Sequence, residues 1–206
     1  MKDHIPYNPS VIEPKWQKRW KESKIYDVDL DTNSDKNFFS LTMFPYPSGD
    51  LHIGHWYAFT PADSYSRFKK MKGFNVLHTQ GFDAFGLPAE NAAISRNINP
   101  MKWTFDNIDN MRNQFNLMGN SYDWSRELIT CKPDYYKWNQ FFFLKMYEKG
   151  IAYRKNGAVW WDPVDQTTLA NEQVIEGKSE RSGADVIRKM MPQWYFKITD
   201  YAEELL

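Results

Sequence analysis

FFSLTMF, residues 38–44, is an unbroken apolar run of β-favouring residues, and its lack of alternation predicts a strand buried on both faces. From 51 to 72 the apolar positions change to helical spacing, through Leu51, His55, Phe59, Ala62, Tyr65, Phe68 and Met71, and Gly73 ends the pattern. Pro61 interrupts it. Either the helix kinks there, the preferred reading, or Thr60 caps a second helix with Pro61 at its first position. NVLHTQGF, 75–82, predicts a second strand, so 38–82 reads as a parallel strand–helix–strand crossover of the right-handed kind.

On either side of this unit the pattern predicts helices. SVIEPKWQKRWKESK, 10–24, opens with a candidate cap at Ser10 and sets Trp16 and Trp20 four apart, as on an amphipathic helix laid on a larger body. The polar stretch 27–37 reads as a linker or exposed turn. DAFGLPAENAAI turns out of the second strand into a helix with Pro88 near its start, and further helices are expected at 100–118 and 133–149, each followed closely by glycine. From Ala152 onward come short segments, IAYRK, AVWWDP, QVIE and DVIRKM, separated by Asn-Gly and Ser-Gly turn signals, then a helix from near Asp200. The expected organisation is an N-terminal helix and linker (1–37), an α/β body with a parallel sheet (38–150), and a small antiparallel β appendage (151–206).

Composition narrows the possibilities. With 42% hydrophobic and 17% aromatic residues the 206-residue chain can bury a core. Lys plus Arg and Asp plus Glu are equal at 26, which excludes a global basic field, so any nucleic-acid contact must be local. One cysteine, Cys131, excludes an internal disulfide, and no apolar run reaches the roughly 18 residues of a membrane span, so the expected location is cytoplasmic, with no membrane partner. YAEELL stops in mid-pattern, and further chain beyond it is expected.

FPYPSGDLHIGH, 44–55, is the stretch that packing does not explain. A Pro/Gly loop leading from a strand end into a helix sets unpaired helix N–H groups at a crevice, a place for an anion. His52 and His55 share a face of the first turn and can donate to phosphoryl oxygens, while Gly54 lets a flat ring approach. The same two histidines could be incidental caps, or metal ligands if His4, His78 or Cys131 joined them. Spacing alone leaves these open.

PYPSGDLHIGH is similar to the His-x-Gly-His signature of class I aminoacyl-tRNA synthetases. TMFPYPSGDLHIGH and GFDAFGLPAENAAI, with VDQTTLANEQV at 164–174 and QWYFKITDYAEELL at 193–206, resemble the leucyl-tRNA synthetase family in particular, collinearly over nearly the whole chain. The resemblance implies a Rossmann-like parallel sheet, the first half of such a catalytic domain, and an enzyme that activates leucine with Mg-ATP (Mg2+) and esterifies the acceptor end of tRNA(Leu). It implies ATP contacts at Pro45, Tyr46, Pro47, Ser48, Gly49, His52, Gly54 and His55, the histidines being catalytic through the phosphates. It implies a leucine site of Met43, Phe44, Tyr46 and Asp83, with Asp83 and the Phe44 carbonyl on the ammonium. Read without the family, Asp83 is a helix N-cap.

Several features depart from the family pattern. GKSERSG places Ser179 and Ser182 where relatives often carry a Cys-x-x-Cys zinc ribbon, and Asp162 stands at another cysteine position, so no zinc is expected. Packing of Trp160, Trp161, Trp194 and Tyr195 is expected to hold the small strands instead. WYAFTPAD follows His55 where an Arg-Asn pair is common. The lysine-rich serine loop is missing, and KKMKG at 69–73 is not a substitute. The segment is therefore expected to be an incomplete catalytic unit whose partner is the remainder of the synthetase chain. The alternatives are a non-catalytic nucleotide-binding module or one half of a split synthetase.

Overall fold

A computed structural model describes residues 6–30 and 35–206, which divide into two compact units, Met1–Tyr136 and Lys137–Leu206. Part of the expected 27–37 linker and His4 lie outside the described residues.

In the first unit, β1 (Asn37–Ser40) pairs in parallel with β2 (Asn75–His78), and helix α2 (Ile53–Met71) makes the crossover. The β2 path continues past Thr79 and Gln80 into β3 (Gly81–Phe82), which pairs in parallel with β4 (Leu128–Ile129). All four strands run the same way, so the loops after β1, β3 and β4 share the carboxyl edge. Helices α3 (Leu87–Ser95) and α4 (Pro100–Met118) follow β3, and α1 (Pro9–Ser23) precedes the sheet. α4 has the bounds its sequence predicts because its ends are chemically marked. Asn99 accepts from the Met101 amide at 2.9 Å, Pro100 opens the helix, and Gly119 closes it at φ 75°.

The core is Phe59, Phe82, Ala84, Ile108, Met111, Phe115, Tyr122 and Ile129, with Phe59 and Phe115 edge-to-face at 5.4 Å. Beside it lies a buried polar network. Asp63 accepts from Arg67 Nε at 2.8 Å and from the Ser121 amide and hydroxyl at 2.5 and 2.6 Å. Arg67 also donates to Tyr26 Oη at 2.6 Å and to the Gly119 carbonyl, and covers the Trp20 ring. With Gln17 donating to the Leu117 carbonyl at 3.1 Å, these bonds fasten α1 to the body.

Three expectations need correction here, and the alternative of a second helix starting at Pro61 is excluded. β1 ends at Ser40, and Phe39, Leu41 and Met43 are exposed: among the described residues β1 has one strand neighbour, so it is an edge rather than a doubly buried strand. α2 runs unbroken through Pro61. Pro61 and Tyr57, four residues earlier, both lie on the exposed side, where water can take the carbonyl that the proline leaves without a donor. α1 is entered at Asn8, with Ser10 already helical. Asp83 is not the α3 cap, which is Gly86.

The second unit contains most of α5 (Pro133–Glu148) and a three-stranded antiparallel sheet in the order β6 (Thr167–Leu169), β5 (Ala152–Asp162), β9 (Ile187–Phe196). β7 (Val174–Ile175) and β8 (Lys178–Ser179) form a small hairpin, and α6 (Ala202–Leu205) follows a 3-10 turn at Ile198–Tyr201. The Asn156-Gly157 turn signal is overridden: β5 passes straight through it. A Cβ at Gly157 would come within 1.8 Å of Tyr195 Oη, so the glycine makes room for a ring from the neighbouring strand. The four aromatic residues expected to pack together fall on opposite faces of the β5–β9 ribbon, Trp160 and Trp194 on one, Trp161 and Tyr195 on the other. Trp194 meets Phe143 and Tyr147 of α5 edge-on, at 5.1 and 5.7 Å.

Asp162, fully buried, is a centre that the sequence did not predict. It accepts from the Val164 and Asp165 amides at 2.8 and 3.1 Å and from Ser182 Oγ at 2.6 Å. Ser179 Oγ accepts from the Arg181 and Ser182 amides, both at 3.3 Å. Burial alone would raise the Asp162 pKa, but hydrogen bonds from Ser179, Ser182 and the two amides outweigh it and hold the carboxyl at about 2.

Candidate nucleotide and amino-acid site

Residues 41–52 form the loop that leaves β1 at the carboxyl edge and enters α2. It is tied down at both ends. At its start the Pro45 carbonyl accepts from the Asp83 amide at 3.0 Å, and the Phe44 ring lies against Gly81, where an added Cβ would come within 2.8 Å of it. At its end the Leu51 amide donates to Gln114 Oε1 at 2.8 Å, and Asp50 Oδ1 accepts from Asn110 Nδ2 at 2.6 Å and Gln114 Nε2 at 3.0 Å. Asn110 and Gln114 are four apart, hence on one face of α4. That spacing was the available signal for an anchor, and the sequence reading passed over it.

The helix tip differs from the expected row of free amides. His52 is the N-cap of α2: its Nδ1 accepts from the Gly54 amide at 3.1 Å, while the His52 amide donates to His55 Nδ1 at 3.2 Å. Two backbone donors are thus consumed by the imidazoles themselves. Both Nδ1 atoms act as acceptors, so both protons sit on Nε2, and each ring presents an N–H away from the cap. The rings are 4.0 Å apart. Burial, with the neighbouring His52, pushes the His55 pKa below its usual value, which keeps it neutral as the cap requires. Gly54 has a reason beyond ligand approach, since a Cβ there would be 2.9 Å from His52 Cε1 and would push the ring off its cap.

The remaining predicted residues are placed as follows. Pro45 and Pro47 are buried, while Tyr46 and Ser48 are exposed and hold a tight turn through a 2.9 Å bond from the Ser48 amide to the Tyr46 carbonyl. An added Cβ at Gly49 would meet nothing within 4 Å, so the loop crest is open. Met43, 78% exposed, and Tyr46, 59% exposed, stand clear of the body on either side of half-buried Phe44. Asp83, half-buried, accepts from Thr130 Oγ1 at 3.3 Å, and Thr130 Oγ1 accepts from the Ala84 amide at 2.8 Å, which orients the carboxylate from the adjacent strand end. Topology therefore brings the histidine-capped tip and Asp83 to the same edge. His78 joins neither: it is buried against Ser121 and Tyr122. Among the described residues no three His, Cys, Asp or Glu side chains form a group that could hold a metal ion.

These features define the class of fold, a parallel α/β domain with a capped helix tip and an oriented carboxylate at one sheet edge, carrying an antiparallel β unit. The chain belongs to the family of tRNA synthetases class I (I, L, M and V), which matches residues 15–206. It is 58% identical to a leucine–tRNA ligase of Thermosipho melanesiensis over its whole length and 57% identical to that of Deinococcus radiodurans over 97% of it. In each case it spans about a quarter, 24%, of the relative's length. Among solved structures it is similar to a LeuRS–tRNA–LeuAMS ternary complex from Agrobacterium radiobacter, with a TM-score of 0.87 at 45% identity, covering 97% of this chain and 26% of that one. A methionyl-tRNA synthetase of Mycobacterium tuberculosis with methionyl-adenylate, at 21% identity and a TM-score of 0.65 over 82% of this chain and 33% of its own, shares the fold.

Proposed function

We propose that this chain supplies the nucleotide and amino-acid half of a leucine-activating site, in a protein that makes leucyl-adenylate from leucine and ATP and passes the leucyl group to tRNA(Leu). The observation that carries this reading is the helix tip: two imidazoles locked by their own caps, with both Nε2–H groups free, on the sheet edge that also holds Asp83. In the reaction the leucine carboxylate attacks the α-phosphorus and charge grows on the phosphoryl oxygens. Donors already oriented before the reaction stabilise that charge without reorganising. His52 and His55 act in this way through Nε2, Gly54 leaves space for the adenine, and residues 45–49 line the nucleotide. Asp83 and the Phe44 carbonyl hold the ammonium, with Met43, Phe44 and Tyr46 against the isobutyl group. ATP enters as its Mg2+ complex, which neutralises charge on the outer phosphates.

We also infer that the β unit needs no zinc, because Asp162 is saturated by hydrogen bonds and its neighbours Ser179 and Ser182 offer hydroxyls in place of thiolates. Stoichiometric zinc uptake would refute this. The bacterial relatives and the reading of Cys131 as a lone thiol support a cytoplasmic location.

Calorimetry with a non-hydrolysable leucyl-adenylate analogue tests the site. The chain is expected to bind it, Asp83→Asn to weaken it at least 10-fold with AMP affinity unchanged, and His52→Ala to weaken ATP. Analogue binding indifferent to Asp83→Asn would overturn the assignment.

A further inference from the structure

Gln80 is completely buried, at 0% exposure, yet only half of its amide is satisfied: Oε1 accepts from Thr42 Oγ1 at 3.1 Å, and Nε2 has no partner. A buried donor left unpaired is destabilising, and a methionine side chain of similar length would fill the same place with no strong donor to satisfy. Packing therefore argues against an amide at this position. Its one bond has to be accounted for by what it reaches.

It reaches the segment that the strand ladder leaves free. β1 stops pairing at Ser40 opposite His78, and among the described residues Thr42, Met43 and Phe44 make no backbone-to-backbone hydrogen bond. Gln80 stands on the firm side. Its carbonyl accepts from the Leu128 amide at 3.2 Å, and the hydroxyl of neighbouring Thr79 donates to the Arg126 carbonyl at 2.6 Å. Three contacts then join the two segments in order: Thr42 to Gln80, the Phe44 ring to Gly81, and the Pro45 carbonyl to the Asp83 amide. They bracket the Phe44 carbonyl and the Asp83 carboxylate, the two groups assigned to the ammonium. Two acceptors on separate segments grip one ammonium well only if their spacing is set before it arrives, because ordering them on binding subtracts from affinity. The Thr42–Gln80 bond is the contact that holds the segment ahead of Phe44.

Resting on the proposed function, we propose that Gln80, acting through Thr42, is a positioning residue for leucine: it fixes the spacing between the Phe44 carbonyl and the Asp83 carboxylate. It touches neither leucine nor ATP.

Leucine-dependent pyrophosphate exchange by the intact gene product tests this, with KM measured separately for leucine and for ATP. One neutral hydrogen bond corresponds to about 2- to 10-fold in an equilibrium constant. Gln80→Met and Thr42→Val are each expected to raise the leucine KM about 5-fold with kcat and the ATP KM unchanged, while Thr42→Ser, which keeps the hydroxyl, stays near the wild type. The double variant Gln80→Met, Thr42→Val should be no worse than either single one, since both remove the same bond. Gln80→Met should melt no lower than the wild type, because it also removes the unpaired amide, and this separates positioning from a loss of structure. In the 206-residue chain the Thr42 methyl should lose order on the nanosecond scale when Gln80 becomes methionine. A leucine KM within about 2-fold of the wild type for Gln80→Met, an equal rise in the ATP KM, effects that multiply in the double variant, a lowered melting temperature, or unchanged Thr42 methyl order would each overturn the proposal. Absence of exchange in the wild type would instead count against the proposed function, and methyl order and melting temperature would still decide whether Gln80 holds Thr42.

Discussion

His78 should make the first unit sensitive to mild acid. Ser121 Oγ donates its proton to Asp63 at 2.6 Å, so at 3.3 Å from Ser121 Oγ the His78 Nδ1 must be the donor, and Nε2 is left bare, buried and without a partner. Protonation would place a charged N–H at Nε2 with no acceptor, in a side chain that is 2% exposed. Burial accordingly lowers the pKa from 6.5 to about 4, against the pull of Asp63. Because the folded pKa lies below the unfolded one, the unfolded chain takes up the proton first, and stability falls as pH drops from 6.5 towards 4. The full window is worth about 3 kcal/mol, of which about 2 kcal/mol falls between pH 7 and pH 5. Urea unfolding at pH 7, 6 and 5 measures it, with His78→Gln as reference. The variant should be less stable at pH 7 but lose about 2 kcal/mol less on acidification. Nitrogen-15 shifts should report the Nδ1–H tautomer. Parallel pH curves for the two proteins, or an imidazole that titrates above pH 6, would refute the argument.

Gly54→Ala should separate stability from binding: loss of the His52 cap, about 1 kcal/mol, is offset by a gain in helix propensity of similar size, so the unfolding midpoint stays within about 1 kcal/mol while ATP affinity falls in titration. Gln114→Ala removes the partner of the Leu51 amide and should speed hydrogen exchange at Leu51 while leaving the Asp83 amide, bonded to Pro45, protected. Asp162→Asn turns an acceptor into a donor among donors and should cost about 1–3 kcal/mol, seen as a lowered melting temperature at pH 7. Its carboxyl is held at about 2 against an ordinary 3.8, so the unfolded chain takes up the proton first, the stability it contributes should drain away as pH falls between those values, and at lower pH protonation should mimic the variant.

The helices were legible because their information is local. Asn99, Pro100 and Gly119 mark α4 within the segment itself, and Gly73 and Gly150 follow α2 and α5 at positive φ. The strands were less so, because a strand's limits depend on a neighbour distant in sequence. The apolar run 38–44 contains residues whose side chains face solvent on an edge, and nothing in it says that pairing stops at Ser40 opposite His78. The Asn156-Gly157 signal misled for the same reason: the glycine answers to Tyr195, a residue of the neighbouring strand.

The candidate site shows the same division between local and distant information. Its residue types were recognisable from the string 44–55, but their working state depends on contacts that no string displays. Whether an imidazole donates from Nδ1 or Nε2 depends on which backbone amide it caps, and at His52 and His55 the caps take both Nδ1 atoms. Asp83 is oriented by Thr130, and the loop end by Asn110 and Gln114, residues with no chemistry of their own. One consequence separates this site from a bare helix terminus. Protonating His55 at Nδ1 would break the bond from the His52 amide, so the helix tip and the neutral donor must be lost together as pH falls, and phosphate affinity should decline in step with helix fraying at residues 53–55 rather than rise with added positive charge.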